Sequence, residues 1–284
     1  MTLAQEDTAP DDTPDDTVVT WWESGSAALR GTVVVLPGRG EAPGVYERFG
    51  RRLAADSYRV HALPAPSDDP DRTRRSLATV LAAADANLPR VVVGSDGGAS
   101  YAARLAATGG LDGVAGLILA GLPTETTRTG ETSEAAAASW DDELDARTFC
   151  STHRARISEA GVRPGGLYAA LPDEWLDADI PARLGLPVLG LHGRDDVISP
   201  VESARRWYAG VPLAELVTVT GGRHDVLNDQ THRSVAATVV LFLERLRLAG
   251  QSAEPGAALP VIVVAEPLRS NGSINGSITS GKRS

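Results

Sequence analysis

The sequence predicts an α/β domain built on a mostly parallel, doubly wound sheet, with one long segment inserted into it. Three observations carry this reading. Short β-branched runs alternate with Ala/Arg/Leu-rich helical stretches along most of the chain. Several runs (TVVVL, RVVVG, GLILA, PVLGLH) are apolar at nearly every position, as strands covered on both faces are. One interval between strands, about 66 residues from Gly121 to Leu186, far exceeds what a simple crossover needs. Such alternation favours parallel strands joined by right-handed crossovers.

Taken in order, Thr17–Trp22 reads as an edge strand, with Trp21 and Trp22 as its cover. Thr32–Leu36, Tyr58–Leu63, Arg90–Gly94, Gly116–Ala120, Pro187–His192 and Glu215–Val219 follow as the remaining strands. Helices are expected at Tyr46–Ala55, Arg72–Asn87, Ala99–Ala107, Pro200–Ala209 and His232–Ala249, where the apolar period lengthens from 2 to 3.6. The long interval carries helical patterns at Glu134–Asp145 and Arg147–Ala160 and reads as a helical cap over residues 122–186. The core is then 17–121 plus 187–249. Residues 1–16, rich in acids, Pro and Thr, form an arm expected to be disordered, and 250–284 an extension ending in a Gly/Ser/Asn tail.

Composition narrows the function. With 27 basic against 37 acidic residues, the chain has a formal charge of −10, which argues against binding nucleic acid through its phosphates. The lone Cys150 can make neither an internal disulfide nor a thiolate metal cluster. Five histidines show no ligand spacing, so no metal is expected. Gly38-Arg39-Gly40 is followed by Pro43 where a dinucleotide fingerprint has Gly, and no phosphate-binding P-loop is present; no cofactor is expected. An acidic N-terminus and the lack of an apolar run near ~18 residues point to a cytoplasmic protein without a membrane span. Lys282 is the single lysine among many arginines, a bias typical of a GC-rich bacterial genome. The expected partner is a small-molecule substrate, on a monomer or homodimer.

In open α/β sheets ligands bind beyond the carboxyl ends of the strands. Four such edges are suggestive: Pro37-Gly38-Arg39-Gly40-Glu41, Gly94-Ser95-Asp96-Gly97-Gly98, His192-Gly193-Arg194-Asp195-Asp196 and Gly221-Gly222-Arg223-His224-Asp225. The second has the form G-x-nucleophile-x-G, a sharp strand-to-helix turn that exposes its central side chain and crowds the positions two before and two after. Gly94 and Gly98 suit Asp96 as the centre; a turn centred on Ser95 would crowd Val93. The helix beyond would favour an anion at Asp96. With Asp196 as acid and His224 as base, the order is nucleophile, acid, histidine. Asp195 and Asp225 are the alternative acids. Two flanking carboxylates would favour a charged imidazolium. His192 is expected beneath the acid loop, His61 in a structural role, and His153 and His232 as solvated helix residues.

Pro37 to Val60 (PGRGEAPGVYERFGRRLAADSYRV) resembles the H-G-x-G-E … Y-E … G-Y-x-V segment of the lysophospholipase and monoglyceride-lipase-like hydrolases. The resemblance spans about residues 30 to 248 and implies an α/β-hydrolase fold. It also implies an oxyanion hole from the N–H groups of Arg39 and Gly97. Two positions depart from the pattern: Pro37 replaces its His, and Asp96 its Ser. Aspartate at the elbow resembles epoxide hydrolases and haloalkane dehalogenases, although Gly97 stands where they have Trp and the cap offers one tyrosine, Tyr168.

The expected activity is cofactor-independent hydrolysis of a small, largely apolar molecule, epoxide-type or an activated ester or lactone. Asp96 would serve as covalent nucleophile or as general base, with Ser95, Tyr168, Trp140 and Trp175 lining the substrate. A lyase, isomerase or cyclase using Asp96 and His224 for proton transfer is the alternative within enzymes. A non-catalytic ligand-binding protein on a hydrolase frame is the alternative outside them.

Overall fold

A computed structural model describes residues 18–124 and 139–250, apart from Ser24 and Ser26. The expected acidic arm, the Gly/Ser/Asn extension and the start of the Glu134–Asp145 helix lie outside the described residues. Seven strands form one sheet: β1 (Val19–Trp21), β2 (Gly31–Leu36), β3 (Tyr58–Ala62), β4 (Arg90–Ser95), β5 (Gly116–Ala120), β6 (Val188–Gly193) and β7 (Ala214–Val219). Their order is β1-β3-β2-β4-β5-β6-β7, with β1 antiparallel to β3 and every other pair parallel.

The apolar runs are explained by burial on both faces. Val33, Val35, Val91, Val93, Ile118, Leu189 and Leu191 enter one core, while the alternating Val34, Leu36, Val92, Leu117, Leu119 and Val188 enter the other. Helices α1 (Glu47–Ala55) and α8 (His232–Gly250) close the first core through Phe49, Leu53, Val239, Phe242 and Leu243. Helices α2 (Pro70–Ala83), α3 (Gly97–Ala107) and α7 (Val201–Ala209) close the second through Leu77, Ala99, Ala102, Ala204 and Tyr208. Among the described residues no helix is long and apolar enough to cross a membrane.

Helix ends shift for local reasons. Asp69 caps α2 by accepting from the Arg72 N–H at 2.9 Å, with Pro70 at the first helical position, so the helix starts before the expected Arg72. It stops at Ala83 instead of Asn87, because the Asp85 carboxylate takes the Asn87 N–H at 2.8 Å and holds a turn.

The segment between β5 and β6 contains α4 (Trp140–Arg147), α5 (Ser151–Glu159), 3-10 turns at Gly166–Tyr168 and Asp173–Trp175, and the short α6 (Ile180–Arg183). A reciprocal Ser139–Asp142 capping box starts α4. The expected helix from Arg147 begins at Ser151 instead. Thr148 is extended, and its hydroxyl and the Phe149 N–H both bond the Asp229 carboxylate, at 2.8 and 3.0 Å.

The turn between β4 and α3 is the tightest backbone approach in the sheet. A Cβ on Gly94 would lie 2.5 Å from Ala99 Cα, and one on Gly98 2.1 Å from Leu36 O. Both neighbours are backbone and cannot step aside. Gly98→Ala is therefore expected to destabilise by about 1–3 kcal/mol, a fall in Tm of roughly 2–10 °C by calorimetry. The equivalent Gly109→Ala, which meets nothing within 4 Å but stands at φ +75°, isolates the cost of backbone conformation alone.

Candidate active site

Asp96 occupies the junction of β4 and α3 with φ 47° and ψ −122°, a conformation that non-glycine residues rarely adopt. Its N–H donates to Ala120 O at 2.9 Å, and its C=O accepts from Ala99 N at 2.8 Å. These bonds fix the backbone, and the side chain, free of any capping role, projects off the sheet edge. It is 2% exposed.

Four donors converge on that carboxylate. Oδ2 accepts from the Arg39 backbone N–H at 2.8 Å and from Arg39 Nε at 2.9 Å; Oδ1 accepts from Arg39 Nη2 at 2.8 Å and from His224 Nε2 at 3.1 Å. The opposite ring atom, His224 Nδ1, lies 2.9 Å from Asp196 Oδ2. Asp196 Oδ1 is pinned by the N–H groups of Ile198 and Ser199 at 2.8 and 2.9 Å. Of the alternative acids, Asp195 is exposed, and Asp225 is engaged with His153 and Arg147. His192 lies under the acid loop, with Nε2 2.6 Å from Ser199 O. Burial holds its pKa below the ordinary value.

These contacts set the charge states. Burial alone would raise the Asp96 pKa, but the Arg39 guanidinium and the His224 imidazolium bring it well below the usual carboxylate range. Burial alone would lower that of His224, but the Asp196 and Asp96 carboxylates push it up to about 10. At neutral pH the site holds two carboxylates, a guanidinium and an imidazolium, a balance of zero.

A second buried network lies beside the first. Arg147, at the end of α4 and 0% exposed, donates to Glu41 Oε1 at 3.0 Å, to Glu143 Oε1 at 2.9 Å and to the Arg39 carbonyl at 3.0 Å. It also lies 3.6 Å from Asp225 Oδ1. Glu41 accepts from the Gly38 N–H at 2.8 Å and from the Tyr46 hydroxyl. Burial and the neighbouring Asp225 raise the Glu41 pKa, against the pull of Arg147. Asp225 N donates to Arg147 O at 2.9 Å. One arginine of the insertion thus ties the loop carrying Arg39 to the loop carrying His224.

The other expected residues fall in different places. Gly97 opens α3, and a Cβ on it would meet Arg39 Cγ at 3.1 Å and Leu171 Cδ2 at 3.0 Å, so the Arg39 side chain lies across this position. Ser95 is buried beside the Tyr46 phenol. Trp175 stacks on Tyr101 of α3 with centroids 4.7 Å apart and is buried in the second core, a fastening for the insertion. Trp140 is partly buried against the first core, and Tyr168 is half-buried in its 3-10 turn. His61 Nδ1 meets Thr20 Oγ1 at 2.9 Å. His153, expected in solvent, is 2% exposed with Nε2 3.0 Å from Asp225 Oδ2, because Asp225 needs a buried partner. His232, also expected in solvent, is half-buried, its Nδ1 3.1 Å from Asp229 O. Among the described residues no group of three His, Cys, Asp or Glu is arranged to hold a metal ion.

Sequence reasoning gave Arg39 a role through its backbone and missed its side chain. Arg39, Arg194 and Arg223 all follow strand ends, and nothing in the spacing separates the buried one from exposed Arg194 or from Arg223, which stacks on Phe149 at 3.7 Å.

No protein-family model matches the chain, and no curated protein matches it. Solved structures do. A soluble variant of monoglyceride lipase from Saccharomyces cerevisiae superposes with a TM-score of 0.66 at 16% identity, over 81% of this chain and 91% of that one. A monoacylglycerol lipase from Paleococcus ferrophilus gives 0.63 at 18% identity, over 80% and 97%. An esterase from a Rhodococcus species gives 0.59 at 22%, over 81% and 95%. The chain has the α/β-hydrolase fold. On this fold Asp96 follows β4, Asp196 follows β6 and His224 follows β7, all at the carboxyl ends of parallel strands.

Two measurements probe the charges. Removing Arg147 leaves Glu41, Glu143 and Asp225 buried without their cation, so Arg147→Met is expected to cost about 3–5 kcal/mol in chemical denaturation. His224 is raised from 6.5 to about 10, so its contribution to stability is complete below 6.5 and is lost as pH rises through 10. NMR should show an imidazolium throughout that window, and stability should fall more steeply across it in the wild type than in His224→Gln.

Proposed function

We propose that this protein is a hydrolase that forms an ester on Asp96, acting on a small molecule with an electrophilic sp3 carbon, of epoxide type. The observation that carries this reading is the placement of Oδ2 on the Arg39 N–H, which leaves Oδ1 as the atom directed toward His224. In the first step Oδ1 bonds to carbon, and the carbon–leaving-group bond breaks with its electron pair going to the leaving group. Esterification removes the charge of Asp96 and with it one of the two carboxylates that hold the imidazolium. The affinity of His224 for its proton then drops, and that proton passes to the leaving oxygen, directly or through solvent. The neutral imidazole then takes a proton from water as that water attacks the Asp96 carbonyl carbon. The Arg39 N–H and Nε stabilise the oxyanion developing at Oδ2. The acyl C–O bond then breaks as the departing oxygen takes the proton held by His224, and the Asp96 carboxyl returns a proton to the ring, restoring the resting site.

Hydrolysis of activated esters or lactones, with Asp96 as general base, fits less well. A carboxylate held well below its usual pKa is a weak base yet remains ionised for attack. Proton transfer without hydrolysis, as in a lyase or isomerase, draws support from the cationic His224, which is an acid in the resting site. One experiment separates the three. Under single-turnover conditions with small epoxides, His224→Ala should accumulate a covalent adduct, a mass gain mapped to Asp96 by peptide mass spectrometry. Turnover of wild type in ¹⁸O-water should place enzyme-derived oxygen in the first product molecule. Turnover with no adduct and no enzyme oxygen in the product removes the covalent route.

A further inference from the structure

We propose that the Arg39 guanidinium is the recognition site for a carboxylate on the substrate, placed next to the carbon that Asp96 attacks. The proposal rests on the covalent reading above and supplies the substrate class that reading leaves open. In the resting site every accessible direction of the Asp96 carboxylate is taken: Oδ2 by Arg39 N and Nε, Oδ1 by Arg39 Nη2 and His224 Nε2. Oδ1 cannot form a bond to carbon while Nη2 holds it at 2.8 Å. The head of Arg39 must move off Oδ1, and something must receive it.

Charge says what receives it. The Arg39 side chain is 7% exposed, and its anionic partner is Asp96. Once Asp96 is an ester, the guanidinium is buried opposite a neutral carbonyl. A guanidinium cannot release a proton to escape that position, and breaking one side of a buried pair is strongly unfavourable. The imidazolium can relax by losing its proton; arginine has no such route. A substrate bearing its own carboxylate restores the balance, and the planar fork already used against Asp96 matches it in shape. Position agrees with charge. Arg39 Nη1 donates to Ala169 O of the insertion at 2.7 Å, and the Arg39 stem and Leu171 both crowd the position that a Cβ on Gly97 would take. The guanidinium therefore lies between the Asp96 carboxylate and Ala169 of the inserted segment, covering Oδ1 with Nη2. The substrate is compact, with one charged end on Arg39 and one electrophilic carbon at Oδ1.

Two arms test this on the full chain. In the first, unreactive propionate and propionamide are compared by thermal shift and by NMR of the Arg39 Nε–H. Propionate should stabilise the wild type and move that resonance, propionamide should do neither, and Arg39→Leu should abolish the difference. In the second, glycidate and glycidamide, an epoxide acid and its amide, are reacted with His224→Ala and the Asp96 adduct is followed by intact mass. Glycidate should react at least about tenfold faster, a factor equivalent to roughly 1.4 kcal/mol. The comparison of acid with amide on one protein needs no Arg39 variant to fold. Equal labelling by both probes, or a thermal and NMR response to both or to neither, overturns the carboxylate site while leaving the covalent reading intact. A response to propionate alone, without any Asp96 adduct, supports the anion site and overturns the covalent reading.

Discussion

The carboxylate of Asp96 is buried, and everything around it follows from the need to keep it charged there. An isolated carboxylate at that depth would take up a proton. The elbow supplies position but little solvation, since its backbone hydrogen bonds serve Ala99 and Ala120. The fork of Arg39 and the imidazolium of His224 supply the rest. Each of those cations then needs its own anchor: Asp196 for the ring, and the Ala169 carbonyl for the guanidinium. The loop that carries Arg39 is in turn held by Glu41, and Glu41 by Arg147. Two buried clusters of paired charges, joined through the backbone of the Arg39 loop, thus run from Asp96 into the inserted segment.

This arrangement shows what an aspartate at the β4–α3 turn demands and a serine there would not. A serine hydroxyl is neutral and asks nothing of Arg39 except a backbone N–H. An aspartate draws the whole side chain in. The Arg39 N–H, which the resemblance places in an oxyanion hole, here donates to an oxygen of the protein itself, Asp96 Oδ2.

Much of this was legible in the chain. The central strands β2, β4, β5 and β6 follow from apolar runs, because burial on both faces leaves few polar residues to blur the pattern. The partly exposed β1, β3 and β7 follow from shorter or mixed β-branched patterns. Asp96 as the centre of the turn follows from Gly94 and Gly98, which steric contact with backbone makes obligatory. The convergence of Asp96, His224 and Asp196 follows from their order at strand ends. What was not legible is the pairing of long side chains. Arg39 and Arg147 are two among many arginines, and their burial depends on loops whose paths no periodicity records. His153 sits on a helix of polar composition and is buried only because Asp225 faces it. Trp175 carried the expectation for an aromatic in an insertion, yet it packs on Tyr101, a contact set by tertiary geometry alone.

A long segment between two neighbouring strands, such as the one from β5 to β6, is an obvious place to exchange one stretch of chain for another. Arg147 makes this one hard to trade. It bonds the carbonyl of Arg39 and the carboxylate of Glu41 on one side and backs onto the Asp225 loop on the other. A transplanted segment without that arginine would leave two loops of the host unsupported, however well its apolar face matched. Exchange of the insertion is then expected to be tolerated least at its buried contacts, Arg147 with Glu143 and Trp175 on Tyr101, and a redesign of this segment has to begin by keeping residue 147.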